Sequence, residues 1–184
     1  MKLELTVNGK PCHWDIEPGA LLLDVLREHG YTSVKRGCGE GVCGACTVLV
    51  DGKRQNSCLL LAGQMQGRTI TTVEGLGTID HPHPIQKAFV AAGAVQCGFC
   101  TPGMVLATKA LLDETPEPTD EEIRRALDGN LCRCTGYVKI LDAVHISVDA
   151  LKTGGQHPDQ AGRHKAHQAI EEAMDQATKA GDTP

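Results

Sequence analysis

Polar and apolar residues alternate along Lys2-Leu3-Glu4-Leu5-Thr6-Val7, the period of a half-buried strand, and Asn8-Gly9 follows as a hairpin turn. The return strand would place Cys12, Trp14 and Ile16 on one face until Pro18-Gly19 interrupts it. From Ala20 to His29 the leucines and Val25 recur at helical spacing and Gly30 closes the run, which predicts a helix. A hairpin followed by a helix is the first half of a β-grasp. No clean period runs through residues 31 to 46. The β-branched segment Thr47-Val48-Leu49-Val50 then meets a second hairpin signal, Asp51-Gly52, and a further strand ends near Val73.

Beyond His81-Pro82-His83-Pro84 the strand alternation stops. Ile85 to Ala94 and Thr101 to Glu114 have helical spacing, and Pro116-Glu117-Pro118 reads as a linker. Thr119 followed three residues later by Glu122 fits a capping box opening a helix from about Asp120 to Leu127. A fourth helix, Val138 to Leu151, carries Ile140, Leu141, Val144 and Val148 on one stripe and completes a small bundle. The expected fold class is α+β, with a first domain over 1–78, an all-helical domain over 79–152 and a polar tail over 153–184. In the tail Ala166, Ile170, Ala173, Met174 and Ala177 form only a weak helical stripe, so a solvated segment is expected and docking on a partner subunit is the alternative.

Composition narrows the function classes. With 184 residues there is room for one medium domain or two small ones. The formal charge of −5 and the scarcity of aromatic residues, 3% of the chain, speak against nucleic-acid binding, which wants basic patches and stacking rings. No stretch is apolar enough for a membrane span, and neither a signal-type apolar core nor a twin-arginine pair opens the chain, so a cytoplasmic location is expected. That compartment keeps thiols reduced, which makes the nine cysteines better candidates for metal ligation than for disulfides.

Cys38, Cys43, Cys46 and Cys58 follow the spacing CxxxxCxxC with a fourth cysteine eleven intervening residues later, the spacing of plant-type [2Fe–2S] ferredoxins. Two bridged irons need four thiolates converging on one small volume, and a sharply bent loop can deliver three of them. Gly37, Gly39, Gly41 and Gly44 interleave these ligands, permitting positive φ and close approach of backbone N–H groups to sulfur. A structural zinc site is the alternative for four thiolates.

The second set pairs Cys97-Gly98-Phe99-Cys100 with Cys132-Arg133-Cys134 across thirty-one residues. Cys97 and Cys100 are expected at the N-terminal end of the helix opened by Thr101-Pro102, where the helix dipole favours thiolate. Cys132 and Cys134 fall in a loop opened by Gly129-Asn130, so two inter-helix loops can face each other around a metal. Spacing alone leaves iron–sulfur, Cys₄ zinc and a thioredoxin-like redox pair at Cys97 and Cys100 open, although no buried strand precedes the CxxC as the last would want. Cys12, alternating with Trp14 and Ile16, is read as a buried apolar residue. His81, His83, His157, His164 and His167 are read as surface residues. Arg133 is open between a partner contact and solvent.

The segments Gly37-Cys38-Gly39-Glu40-Gly41-Val42-Cys43-Gly44-Ala45-Cys46-Thr47, Gln96-Cys97-Gly98-Phe99-Cys100-Thr101-Pro102-Gly103 and Asn130-Leu131-Cys132-Arg133-Cys134-Thr135-Gly136-Tyr137 together resemble the iron–sulfur subunit of molybdenum hydroxylases, the xanthine dehydrogenase and aldehyde oxidoreductase family. The resemblance covers about residues 1 to 152 with all eight ligands in order. It implies a ferredoxin-like β-grasp domain followed by a four-helix bundle, each holding one [2Fe–2S] cluster. It further implies a large subunit whose molybdopterin lies beside the helical-domain cluster, and a medium subunit whose FAD lies toward the other. Gln96 matches the family glutamine that hydrogen-bonds the pterin. The implied assembly is a heterotrimer or a dimer of heterotrimers in which this chain passes electrons singly and has no substrate site of its own. The approach Ser33-Val34-Lys35-Arg36-Gly37-Cys38 leans toward xanthine dehydrogenase members. An independent Cys₄/Cys₄ metal scaffold is the second reading and a thiol oxidoreductase the third.

Overall fold

The alternation at the start of the chain resolves into β1 (Lys2–Val7) and β2 (Lys10–Asp15), an antiparallel hairpin in which Leu3, Leu5 and Val7 are buried and the residues between them face outward. The structure is a computed structural model and describes residues 1–153; the expected tail, with His157, His164 and His167, lies outside the described residues. Asn8 and Gly9 both adopt positive φ, as a tight hairpin requires.

The next element, α1 (Leu22–Glu28), is shorter than the leucine spacing predicts. Leu21 stays extended and bridges Leu61, and Ala20 O accepts from Ala62 N, so a tertiary pairing takes the place of the first helical turn. The strands β3 (Thr47–Val50), β4 (Lys53–Asn56) and β5 (Thr69–Thr71) complete a five-stranded sheet in the order β2-β1-β5-β3-β4. Within it β1 and β5 run parallel and the other neighbours antiparallel. Leu22, Leu23, Val25 and Leu26 seat α1 on this sheet, closing a core with Leu3, Leu5, Val7, Val48 and Ile70. This is the β-grasp that the hairpin and helix announced.

Cys12 departs from its reading as a buried residue: it is half-buried and packs at the margin of this core beside Trp14. Trp14 stacks on His29 with ring centroids 4.0 Å apart.

Four helices follow: α2 (Pro84–Ala91), α3 (Thr101–Glu114), α4 (Asp120–Leu127) and α5 (Val138–Lys152). Ile85, Phe89, Met104, Ile123, Ile140 and Val144 interlock as a second core, with α2 packed against α5. The capping box expected at Thr119 is present: Glu122 N donates to Thr119 Oγ1 at 3.3 Å and Thr119 N to Glu122 Oε2 at 2.7 Å. A second box was not anticipated. His83, read from the sequence as a surface residue, is half-buried and caps α2, its Nδ1 accepting from Ile85 N at 3.3 Å while Gln86 Oε1 accepts from His83 N at 2.8 Å. Among the described residues no helix is long and apolar enough to cross a membrane.

Candidate metal centres

The loop from Cys38 to Cys46 hangs between α1 and β3 and wraps its thiols toward Cys58, which sits in a short 3₁₀ turn, Ser57–Leu59, directly after β4. Ser57 ties this turn to the loop, its hydroxyl donating to Cys46 O at 2.7 Å. The four thiols divide into an outer and an inner pair. Cys38 and Cys43 are half-buried and close to each other, whereas Cys46 and Cys58 are 2% and 4% exposed and face each other beneath them. The environments differ accordingly. The backbone N–H of Glu40, 3.3 Å from Cys38 Sγ, together with the Cys43 thiol brings the Cys38 pKa down to about 6. Burial pushes Cys46 up to about 11, with Cys58 beside it.

Not all of the interleaved glycines serve positive φ. Gly44 does, at +65°, but Gly37 does not; it is small because a Cβ there would lie 2.7 Å from Cys43 Sγ and 3.7 Å from the Phe99 ring. Phe99 belongs to the second cysteine set, so its ring reaches across to the first.

The second set lines one cavity of about 520 Å³, whose walls also include Phe99, Leu131, Arg133 and Tyr137. Cys100 is the residue preceding α3, as expected, and burial with the neighbouring Cys132 and Cys97 pushes its pKa up to about 12. Cys132 goes the other way. Burial opposes its ionisation, yet the Thr135 hydroxyl 3.2 Å from Sγ, the N–H groups of Cys134 and Thr135, and the Cys100 thiol outweigh it and bring the value to about 7. Tyr137, in the left-handed region at φ 70°, turns back so that its hydroxyl accepts from Cys132 N at 2.9 Å. Gln96 lies exposed beside Cys97, and Arg133 is exposed between its two cysteines.

Cys97 and Cys134 bring their sulfurs to 3.6 Å. A tetrahedral metal with bonds of about 2.3 Å to thiolate sulfur holds two of them about 3.8 Å apart, a separation close to that of this pair. Cys100 and Cys132 form the companion pair. Among the described residues no three His, Cys, Asp or Glu side chains gather closely enough for a single ion. All nine cysteines are free.

The two sites touch through their ligand loops. Leu131 N, one residue before Cys132, donates to Cys43 O at 2.9 Å. Asn130, 3% exposed, extends its side chain across the same seam to Gly44 O and Thr47 Oγ1, and Arg54 on β4 donates to Ala126 O, Asp128 O and Asn130 Oδ1 on the far side. Sequence reasoning named Asn130, Thr135 and Tyr137 as members of the ligand-loop segment without these contacts, and passed over Arg54.

Residues 5–71 match the model of a 2Fe-2S iron-sulfur cluster binding domain and residues 72–145 that of a [2Fe-2S] binding domain. The chain is 54% identical over 148 residues to the nicotinate dehydrogenase small FeS subunit of Eubacterium barkeri, covering 80% of this chain and 94% of that one. It is 51% identical over 147 residues to the xanthine dehydrogenase iron-sulfur-binding subunit of Escherichia coli O157:H7, covering 77% and 91%. Among solved structures it resembles quinoline 2-oxidoreductase from Pseudomonas putida 86, with a TM-score of 0.79 and 45% identity over 84% of this chain and 98% of that one. It also resembles the aldehyde oxidoreductase from Desulfovibrio gigas, with a TM-score of 0.81 and 41% identity, but spans only 17% of that chain.

Proposed function

The chain belongs to the iron–sulfur subunits of the molybdenum hydroxylases, and from that membership we propose that it is a two-step electron carrier between a molybdopterin site and a flavin or other acceptor in partner subunits. The observation that carries the reading is the arrangement of eight thiols as four pairs in two adjoining sites. In this reading Cys38 with Cys43 and Cys46 with Cys58 hold the two irons of a first [2Fe–2S] cluster, and Cys97 with Cys134 and Cys100 with Cys132 hold those of a second. When bound, each cluster supplies a centre that takes up and releases one electron at a time.

The chain's own residues do the rest. The Glu40 N–H and the Thr135 hydroxyl donate to ligand sulfurs and stabilise negative charge there. Burial of Cys46 and Cys58 shields the inner half of the first site from water. The Leu131 N–H to Cys43 carbonyl bond and the Phe99 ring span the space between the sites. In this reading Gln96, exposed beside Cys97, meets the pterin of a large subunit. Val42 and Leu59, 56% and 60% exposed beside the first site, offer apolar contact to a medium subunit carrying FAD. The units run over 1–78 and 79–152, the assembly is a heterotrimer or its dimer, and its location is the cytoplasm. A purine, an aldehyde or an N-heterocycle hydroxylated with water is the substrate class, read by the large subunit; relatives named for xanthine and nicotinate support it.

Iron and acid-labile sulfide counted on the anaerobically isolated complex test the reading. Two irons and two sulfides per site are expected, with Cys43→Ser and Cys100→Ser each removing one site's share. Zinc without sulfide would establish the metal scaffold instead. Gln96→Ala is expected to weaken pterin retention with iron content unchanged; full retention would remove Gln96 from the role.

A further inference from the structure

We propose that Asn130 is a positioning residue that fixes the separation of the two cysteine sites, and with it the coupling between the clusters they hold; the proposal rests on the two-cluster reading above. Asn130 is one of the few buried polar side chains, and every hydrogen-bonding atom of its amide is used between the two halves of the molecule. Its Nδ2 donates to Gly44 O at 3.1 Å and to Thr47 Oγ1 at 3.3 Å, and its Oδ1 accepts from Arg54 at 3.4 Å. Gly44 lies between the ligands Cys43 and Cys46, while Asn130 lies two residues before Cys132, so a single side chain links the backbone of one ligand loop to that of the other.

The seam has no slack. A Cβ on Gly44 would meet Asn130 Nδ2 and Gly129 O, each at 2.4 Å, and one on Gly103 would meet Gly44 O at 2.3 Å and Asn130 Nδ2 at 2.9 Å. The ligand loop, the first turn of α3 and the 129–131 loop therefore approach one another as closely as backbone allows, with the amide as the spacer. The Gly44 carbonyl is already claimed by Thr47 N at 3.1 Å and Thr47 Oγ1 at 2.7 Å. A group without N–H donors at position 130 would face acceptor lone pairs and be forced away. Arg54 holds the other side, drawing Ala126 O, Asp128 O and Asn130 Oδ1 onto β4. Electron tunnelling falls exponentially with distance, so a spacer at the point of contact controls the rate between the sites without touching either metal.

Asn130→Asp keeps the shape and removes both donors; Arg54→Gln removes the outer hold at an exposed strand position. In the isolated complex, reduced with dithionite, iron content and the magnetic interaction between the two reduced clusters are measured together. Full iron, two signals and a diminished splitting are expected in Asn130→Asp, with a smaller change of the same sign in Arg54→Gln. A carboxylate acting only through its charge would shift potentials and leave the splitting intact. Native splitting in both fully loaded variants overturns the proposal, as does a native complex with two signals and no interaction. If Asn130→Asp does not load, Arg54→Gln decides alone, an unchanged splitting overturning the proposal and a smaller one supporting it. A native complex lacking two [2Fe–2S] signals fails the two-cluster reading instead.

Discussion

Replacing Gly103 by alanine tests how tightly the two halves of the chain are pressed together. Gly103 occupies the first turn of α3, three residues after Cys100. In an open helix the change would stabilise by about 0.5–1 kcal/mol, because glycine loses more backbone entropy on folding. Here the new methyl would stand 2.3 Å from Gly44 O, a backbone atom held by three hydrogen bonds, and 2.9 Å from Asn130 Nδ2. Neither neighbour can rotate away, so α3 must shift, and overpacking of this kind costs about 1–3 kcal/mol. The net expectation is a loss of about 1–2 kcal/mol. With a urea slope of about 2 kcal/mol per molar, the unfolding midpoint of the iron-loaded chain falls by about 0.5–1 M. Gly19→Ala is the control, since a Cβ there meets nothing within 4 Å. Because α3 carries Cys100 at its start, the visible circular dichroism of the second site should change in Gly103→Ala alone. A Gly103→Ala protein matching Gly19→Ala in midpoint and spectrum would refute the close-packed seam.

Burial opposes ionisation of Glu74, but hydrogen bonds from the Ser33 hydroxyl, Thr72 hydroxyl and Ser33 N–H outweigh it and hold the carboxyl below its ordinary 4.5. Its contribution is therefore complete above about pH 4.5 and is lost as pH falls through the lower folded value; Glu74→Gln should flatten that acid limb in denaturation curves compared pH by pH, and parallel limbs would contradict it. Burial and Lys109 lower the His83 pKa, so the cap on α2 is complete above pH 6.5 and fades in acid as Nδ1 takes a proton. His83→Ala should accordingly cost about 1 kcal/mol at pH 8 and progressively less toward pH 5; a pH-independent difference would remove the capping role. In chain stripped of metal at pH 7, iodoacetamide should label Cys38, near 6, before Cys46, near 11, or Cys100, near 12, as read by peptide mass spectrometry; equal labelling would contradict the two-layered site.

The parts legible in the sequence are those written in local period or spacing. Lys2 to Val7 alternate, Asn8-Gly9 turn, and Thr119 with Glu122 cap a helix, all through contacts a few residues apart. The two cysteine sets are legible because a metal centre restricts spacing as strictly as a turn does. What escaped depends on distant partners. The first turn of α1 yields to a bridge between Leu21 and Leu61, and β5 has only three residues, its parallel pairing with β1 set by the fold rather than by its composition. Asn130 reaches Gly44 across 86 residues and Arg54 reaches Ala126 across 72, contacts that no window along the chain contains. Cys100 sits before α3 as its spacing predicts, but its burial against Cys132 comes from a partner thirty-two residues away.

Low-temperature electron paramagnetic resonance of the anaerobically isolated, dithionite-reduced complex bears most directly on the central claim. Two distinct [2Fe–2S] signals are predicted, one lost in Cys43→Ser and the other in Cys100→Ser, each substitution leaving the remaining signal at full intensity. A single signal, or joint loss of both signals in either fully folded variant, would contradict the assignment of one cluster to each set of four cysteines.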